Sequence, residues 1–198
     1  MKVSVSIIFF ISTILWSTYC TGQTYSYIIS DKTISSFIKK ISKSMDPRAK
    51  KIDKEIIEWS EKDIYGERDS VFEMGFITEG IIEQDLVKGL FSPQDFKYIT
   101  KQQENLEWPI WEVKNFPSNE LIDSLGFAII LSKSYGRKKV GGNFAYSFSV
   151  PLFSLNHELA IVQQEYYCGF ECMNYCILIY KKDNKSKNWE EIERIKCL

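Results

Sequence analysis

The stretch Phe144-Ala145-Tyr146-Ser147-Phe148-Ser149-Val150-Pro151-Leu152-Phe153 alternates large and small side chains, which is typical of a β-strand. Because successive side chains of a strand point to opposite faces, one face carries most of the large apolar residues: Phe144, Tyr146, Phe148 and Val150. Pro151 has no amide hydrogen to donate, so it predicts an edge position or a bulge within this strand. The fold prediction starts from this segment.

Further strand-like runs follow closely along the chain. They cover residues 159–167, 176–182 and 189–195, and another compact apolar run, 127–132, comes before. Runs this close together leave no room for crossover helices, so they predict an antiparallel meander of about four to five strands within residues 127–198. The last run also has apolar residues at a helical spacing, and a terminal helix is the alternative there.

The first part of the chain, about residues 30–124, is predicted to be helical. Ser30 or Asp31 can cap a helix that runs to about residue 43, and its apolar residues share one face: Ile34, Phe37, Ile38 and Ile41. In Ser92-Pro93-Gln94-Asp95 the serine can cap a second helix that ends near residue 104, and the proline suits its first turn.

Three other segments give weaker patterns. Residues 71–90 are read as helical, and residues 117–123 as a short helix opened by a proline. Residues 50–65 fit either a short helix or a strand that ends near Trp59. Together these elements predict an α+β domain over residues 23–198, with N-terminal helices packed on one face of a C-terminal antiparallel sheet.

Residues 1–22 have the pattern of a secretory signal peptide. Lys2 precedes an apolar stretch, residues 3–16, and a small-residue exit ends at Gly22, after which cleavage is expected. Lipidation at Cys20 and an uncleaved membrane anchor are the alternatives. No later segment is long and apolar enough to span a membrane, so no span is expected in the mature chain.

Four cysteines remain after such cleavage, and all lie near the C-terminus: Cys168, Cys172, Cys176 and Cys197. In an exported protein an even number predicts structural disulfides, and four cysteines allow three pairings. Cys197 could reach Cys176 if the final strand returns alongside. A zinc site that uses three cysteines and His157, or a redox-active thiol pair, is the alternative, but the three-residue gaps differ from the usual spacing of both. We therefore expect neither a metal nor a cofactor.

The sequence offers few catalytic groups. His157 is the only histidine, so a two-histidine metal site is impossible, and we read it as a solvated residue of a polar turn. Glu107 and Glu112 flank two tryptophans, and carboxylates beside aromatic rings are what a sugar hydrolase needs. No phosphate-binding loop, nucleophile elbow or calcium loop is present in the sequence.

Composition limits the possible partners. The formal net charge is −1, and a near-neutral chain has no general attraction for nucleic acid. Apolar residues make up 44% of the chain and aromatic residues 15%, which is enough for a folded core.

Part of the chain resembles a known group of proteins. The resemblance lies in Ser149-Val150-Pro151-Leu152-Phe153-Ser154, Ala160-Ile161-Val162, Cys168 to Cys172, Tyr180-Lys181-Lys182 and Trp189, together with Phe91 to Asp95 and the Gly22-Gln23 exit. This pattern is similar to small exported proteins of Bacteroidota-type bacteria to which no activity is assigned. The resemblance implies a strand, a cysteine-bearing hairpin and a final tryptophan strand, and it implies no catalytic residue.

The expected function is therefore a non-catalytic one. We expect an exported domain that binds a protein or glycan partner, or has a structural role, in the periplasm or at the cell surface. The alternative is a small secreted hydrolase that acts on glycans through Glu107 or Glu112. An exposed apolar patch would favour the first function, and a deep pocket with two carboxylates of raised pKa would favour the second.

Overall fold

The computed structural model describes residues 24–46, 49–59, 89–107, 110–134, 144–167, 173–195 and 197. In chain order these residues form α1 (Asp31–Ile41), a 3₁₀ turn (Ser42–Ser44), β1 (Lys51–Ile57), α2 (Pro93–Gln103), β2 (Glu120–Ile122), α3 (Ser124–Ser134), β3 (Ala145–Ser149), β4 (Leu152–Phe153), β5 (Leu159–Tyr167), β6 (Met173–Lys182) and β7 (Trp189–Ile195). The described part of the chain is thus an α+β fold with one seven-stranded sheet. The predicted signal peptide lies outside the described residues.

The sheet is mixed, and its strand order is β2-β1-β3-β5-β6-β7, with β4 also paired to β5. From β3 onward all pairings are antiparallel, and β5-β6-β7 form the C-terminal meander that the sequence predicts. β7 is a strand, so the terminal-helix alternative was wrong. β1 pairs in parallel with both β2 and β3, and this parallel part was not predicted.

The strand predicted for residues 144–153 is interrupted near Pro151. β3 and β4 both pair with β5, and Val150 and Pro151 lie between them outside either strand. Between the pairs Phe148–Gln164 and Leu152–Ile161 the first chain advances four residues and β5 only three, so one extra residue bulges there. The irregularity predicted from Pro151 is confirmed.

Both faces of the sheet are covered by helices. The first face packs against α1, whose residues Ile34, Phe37, Ile38 and Ile41 are all buried, as predicted. The second face packs against α2, where Ile99 lies with Ile161 of β5. At the other end of this face, Phe127 of α3 contacts the ring of Tyr167, with 4.3 Å between the centroids. The prediction of helices on only one face was therefore too simple.

The two predicted helix starts are confirmed. The Ser30 hydroxyl accepts a hydrogen bond from the Thr33 amide at the start of α1. At the start of α2 the Ser92 hydroxyl accepts from the Asp95 amide, and the Asp95 carboxylate accepts from the Ser92 amide, which makes a reciprocal capping box.

Three other predictions can be compared with the structure. Residues 50–65 had two possible structures, and the described part of them contains a strand, β1. The short helix predicted for 117–123 was wrong, because residues 120–122 form β2 against β1. The strand predicted for 127–132 was also wrong, because these residues belong to α3. The predicted helix at 71–90 lies outside the described residues, except for a turn at Gly89 and Leu90.

Asp123 explains why α3 begins where it does. Its carboxylate accepts a hydrogen bond from the Gly126 amide at 2.9 Å, and its carbonyl accepts from the Phe127 amide at 2.8 Å. The first contact satisfies an amide that the helix leaves without an intrahelical partner, and the second is the first regular hydrogen bond of α3. None of the helices in the described ranges is long and apolar enough to cross a bilayer.

Candidate functional site

The two glutamates predicted as hydrolase candidates lie on surface loops. Glu107 is exposed and accepts a hydrogen bond from the Tyr27 hydroxyl at 2.8 Å. Glu112 forms an ion pair with Lys114. The neighbouring Trp111 is only 1% exposed, and its indole N–H donates to the Phe148 carbonyl, so this tryptophan is a core residue. Trp108 lies outside the described residues.

His157 lies in the turn between β4 and β5, as predicted. It is half-buried there, whereas a solvated side chain was predicted. Its Nε2 atom is 3.4 Å from the Tyr98 hydroxyl, and its ring also packs near Phe153. Burial lowers the pKa of His157, and the positive charge of Lys182 lowers it further. The neutral imidazole is therefore favoured in this turn.

One of the possible cysteine pairings is present. Cys176 and Cys197 form a disulfide with Cα atoms 4.4 Å apart, which links β6 to the residue two positions after β7. Cys168 and Cys172 lie outside the described residues. Within the described ranges, no group of three or more histidine, cysteine, aspartate or glutamate residues is placed to hold a metal ion.

A polar cluster lies on the second face of the sheet, between α2 and α3. It contains Asp53 of β1, Ser147 of β3, and Glu165 and Tyr167 of β5, and the Tyr167 hydroxyl donates to the Glu165 carboxylate. Burial raises the pKa of Asp53, and the nearby charges of Glu55 and Glu165 raise it further. Sequence reasoning missed this cluster, although Gln163, Glu165 and Tyr167 do follow the two-residue period of one strand face.

A cavity of about 240 Å³ lies at the C-terminal end of α1. We call it the lysine pocket, and its lining residues are Lys39, Ser42, Lys43, Met45, Asp46, Ala49, Lys50, Pro117, Ser118 and Asn119. Among the described lining residues, three lysines and one aspartate give a net charge of +2. Positive charge predominates among its described lining residues.

Three chain segments form the lysine pocket, and each is fixed to the fold. In the first, the Ser42 hydroxyl donates to the Lys39 carbonyl at 3.2 Å. In the second, Lys50 precedes β1, and its carbonyl accepts from the Glu120 amide at 2.8 Å. The third is the turn after the buried Phe116, whose carbonyl accepts from the Asn119 amide at 3.1 Å. The walls are therefore preformed.

Helix electrostatics explain only part of this positive charge. Cations are favourable near a helix C-terminus, and Lys39 lies in the last turn of α1. Lys43 lies four residues further on, in the 3₁₀ turn, and Lys50 belongs to a different segment. Like charges held together repel one another, and a bound anion would relieve that repulsion.

Part of the lysine pocket was predictable from the sequence. The spacing of Lys39 and Lys43 places two positive charges on one side of a helix, and this could have been noticed. Ser118 and Asn119 lie far away in sequence and reach the cavity only because β2 pairs with β1. That pairing was not predicted, and so neither was the pocket.

α3 carries an exposed apolar stripe. Leu125 is 70% exposed, and Ala128 and Ile129, which lie three and four residues further on, are exposed on the same side of the helix. Ile130 and Phe127 face the sheet instead. An exposed apolar patch is the feature that we expected of a binding domain.

Comparison with known proteins gives no relative. No protein family model matches this chain, and no curated protein and no solved structure is significantly similar to it. The resemblance to small exported bacterial proteins thus stays a prediction.

Proposed function

We propose that this protein is a non-catalytic, exported binding domain, and that the lysine pocket binds an anionic group of its ligand. One observation carries the proposal. Three lysines from two chain segments surround a preformed cavity that has a net charge of +2. Complementary charge both attracts a ligand and orients it.

The chemistry of the lining favours binding over catalysis. The described lining residues include no histidine, cysteine or tyrosine and only one carboxylate, that of Asp46. A lysine nucleophile needs a desolvated, neutral amine, whereas Lys39, Lys43 and Lys50 are all exposed. The pocket therefore offers charge and hydrogen-bond donors, but no paired acid and base.

The hydrolase alternative has weaker support. A glycoside hydrolase needs two carboxylates on either side of the scissile bond. Glu107 and Glu112 contact Tyr27 and Lys114, and neither glutamate lines the lysine pocket. We accordingly retain the binding function as the proposal.

One observation supports the export part of the proposal. The disulfide between Cys176 and Cys197 fits an oxidising compartment, where such bonds persist.

The proposal is tested by anion binding to the purified mature chain. Inorganic phosphate, sulfate and acetate are titrated separately, and binding is followed by NMR chemical shifts. We expect at least one anion to bind with a Kd on the order of 10 mM, because three exposed ion pairs that contribute less than about 1 kcal/mol each supply under about 3 kcal/mol. The triple variant K39Q/K43Q/K50Q should bind it about tenfold more weakly.

A matched control separates the pocket from general charge. The triple variant K32Q/K97Q/K101Q loses the same charge from exposed lysines that do not line the pocket. Its affinity should stay within about twofold of the original protein at moderate ionic strength, since distant surface charges are screened. Equal losses in the two variants, or no binding of any of the three anions, would show that the proposal is wrong.

A further inference from the structure

We infer that the lysine pocket selects a phosphate monoester of a small alcohol, in its dianionic form. The inference rests on the proposed function and specifies the ligand class of the same site. The charge of the pocket favours a phosphate monoester. A phosphate monoester carries about −1.5 to −2 charges at pH 7, which matches the net +2 of the pocket. A carboxylate or a sulfate monoester carries a single negative charge and leaves the lysines partly unpaired.

The arrangement of the hydrogen-bond donors also favours a phosphate group. Lys39 and Lys43 line the cavity from the α1 side and Lys50 from the segment before β1. Ser118 and Asn119, whose side chains carry a hydroxyl and an amide, line the third side. Donors on three sides suit a tetrahedral group with three terminal oxygens. A planar carboxylate is better served by the two parallel N–H groups of an arginine, and lysine instead binds phosphate as a point charge.

The apolar part of the lining favours an ester over the bare ion. Met45, Ala49 and Pro117 line the cavity together with the charged residues, and Ala49 is buried in the core below. A volume of about 240 Å³ is slightly below that of drug-sized pockets, which begin at about 300 Å³. The cavity thus has apolar surface for a short carbon chain beside the phosphate, and this favours a small ester over the bare ion.

Few charged groups of the residues described line the cavity. The charged groups that face the cavity are Lys39 and Lys43 from the end of α1, Asp46 from the following loop, and Lys50 from the segment before β1. The 117–119 turn adds no charge. Within the described lining, Asp46 is the one group that opposes an anion, so its removal should strengthen binding.

The test compares two monoesters of different charge. Glycerol 3-phosphate and methyl sulfate are titrated at pH 7.5 and pH 5 into the mature protein. Because the second phosphate pKa is about 6, the dianion falls to about a tenth of the phosphate at pH 5. We expect glycerol 3-phosphate to bind at least about threefold more tightly than methyl sulfate at pH 7.5, and to lose about tenfold in affinity at pH 5.

Methyl sulfate keeps its charge over this range and so reports any change in the protein itself. Its affinity should change by less than about twofold between the two pH values. In addition, D46N should bind glycerol 3-phosphate about two- to threefold more tightly, which an aspartate with only a structural role would not produce. The K39Q/K43Q/K50Q variant should lose binding at both pH values.

The outcomes distinguish this inference from the proposed function. If methyl sulfate binds as tightly as glycerol 3-phosphate, or if phosphate binding is independent of pH, the ligand class is wrong while anion binding stands. If neither ester binds, and inorganic anions do not bind either, both proposals fail. Phosphatidylcholine vesicles with and without phosphatidic acid test the lipid source, and binding to the acidic vesicles alone would overturn a small soluble ligand.

Discussion

At the residue scale, Asp53 is the group whose environment most disfavours its charge among the described carboxylates. It lies in a partly buried position near Glu55 and Glu165. Its Oδ1 atom accepts a hydrogen bond from the Glu55 amide at 3.0 Å, which offsets only part of the burial. The result is a raised pKa, and this raised pKa has a consequence for stability.

We predict that Asp53→Asn stabilises the protein at neutral pH. The pKa of Asp53 is higher in the folded state than in the unfolded chain, where it is near 3.8. Its contribution to stability is therefore complete below pH 3.8 and is lost as the pH rises through the folded-state pKa. Asparagine keeps the acceptor oxygen and removes the charge. Urea unfolding at pH 7 should therefore show that the free energy of unfolding rises by less than about 1 kcal/mol.

Asp183 provides the opposite control. Hydrogen bonds from the Ser186 hydroxyl and from the amides of Lys185 and Ser186 lower its pKa. Asp183→Asn should therefore reduce stability at pH 7, and Asp53→Asn should increase it. The gain from Asp53→Asn should also disappear at pH 3. A gain that is the same at both pH values would mean that charge is not its cause.

At the scale of elements, a single buried side chain joins α2 to β4. Gln102 is fully buried, its side-chain N–H donates to the Phe153 carbonyl at 2.6 Å, and its side-chain oxygen accepts from the Phe153 amide at 2.9 Å. Gln102 thereby acts toward β4 as the backbone of a neighbouring strand would. The helix covers the edge of this two-residue strand on one side, and β5 pairs with it on the other.

We predict that Gln102→Leu destabilises the protein by about 2–4 kcal/mol. The change leaves the amide and the carbonyl of Phe153 buried without this partner, and each such group costs about 1–3 kcal/mol. Gln103→Leu is the matched control, because the amide of Gln103 makes only a long contact of 3.5 Å with the Trp59 carbonyl. Urea unfolding should show that Gln103→Leu lowers the free energy of unfolding by less than about 0.5 kcal/mol. Equal effects of the two changes would contradict this role for Gln102.

The helices and strands show what the sequence could and could not predict. α1 and α2 were predictable because their signals are local: a capping residue followed by apolar residues at helical spacing. In α3 the apolar residues surround the helix, so periodicity could not separate a helix from a buried strand. β2 has three residues, and it is a strand only because β1, about seventy residues earlier, lies beside it. The lysine pocket depends on that same pairing.

At the scale of the whole molecule, the C-terminal edge of the sheet depends on β7. Most side chains of β7 are exposed, which gives this edge strand little core of its own. Trp189 is an exception, since its ring lies 5.0 Å from that of Phe37 in α1. The disulfide between Cys176 and Cys197 holds the other end of the strand against β6.

We therefore predict that Cys197→Ser lowers the free energy of unfolding by about 3 kcal/mol. The bond closes a loop with a sequence separation of 21 residues, and the chain-entropy relation gives about this value for such a loop. Reduction should bring the original protein close to the stability of the variant. Intact mass before and after reduction and alkylation of the exported protein then reports the number of disulfides and whether cleavage follows Gly22. If the oxidised protein and Cys197→Ser unfold at the same urea concentration, the bond does not hold β7, and the pairing with β6 and the packing of Trp189 against Phe37 hold the strand without it.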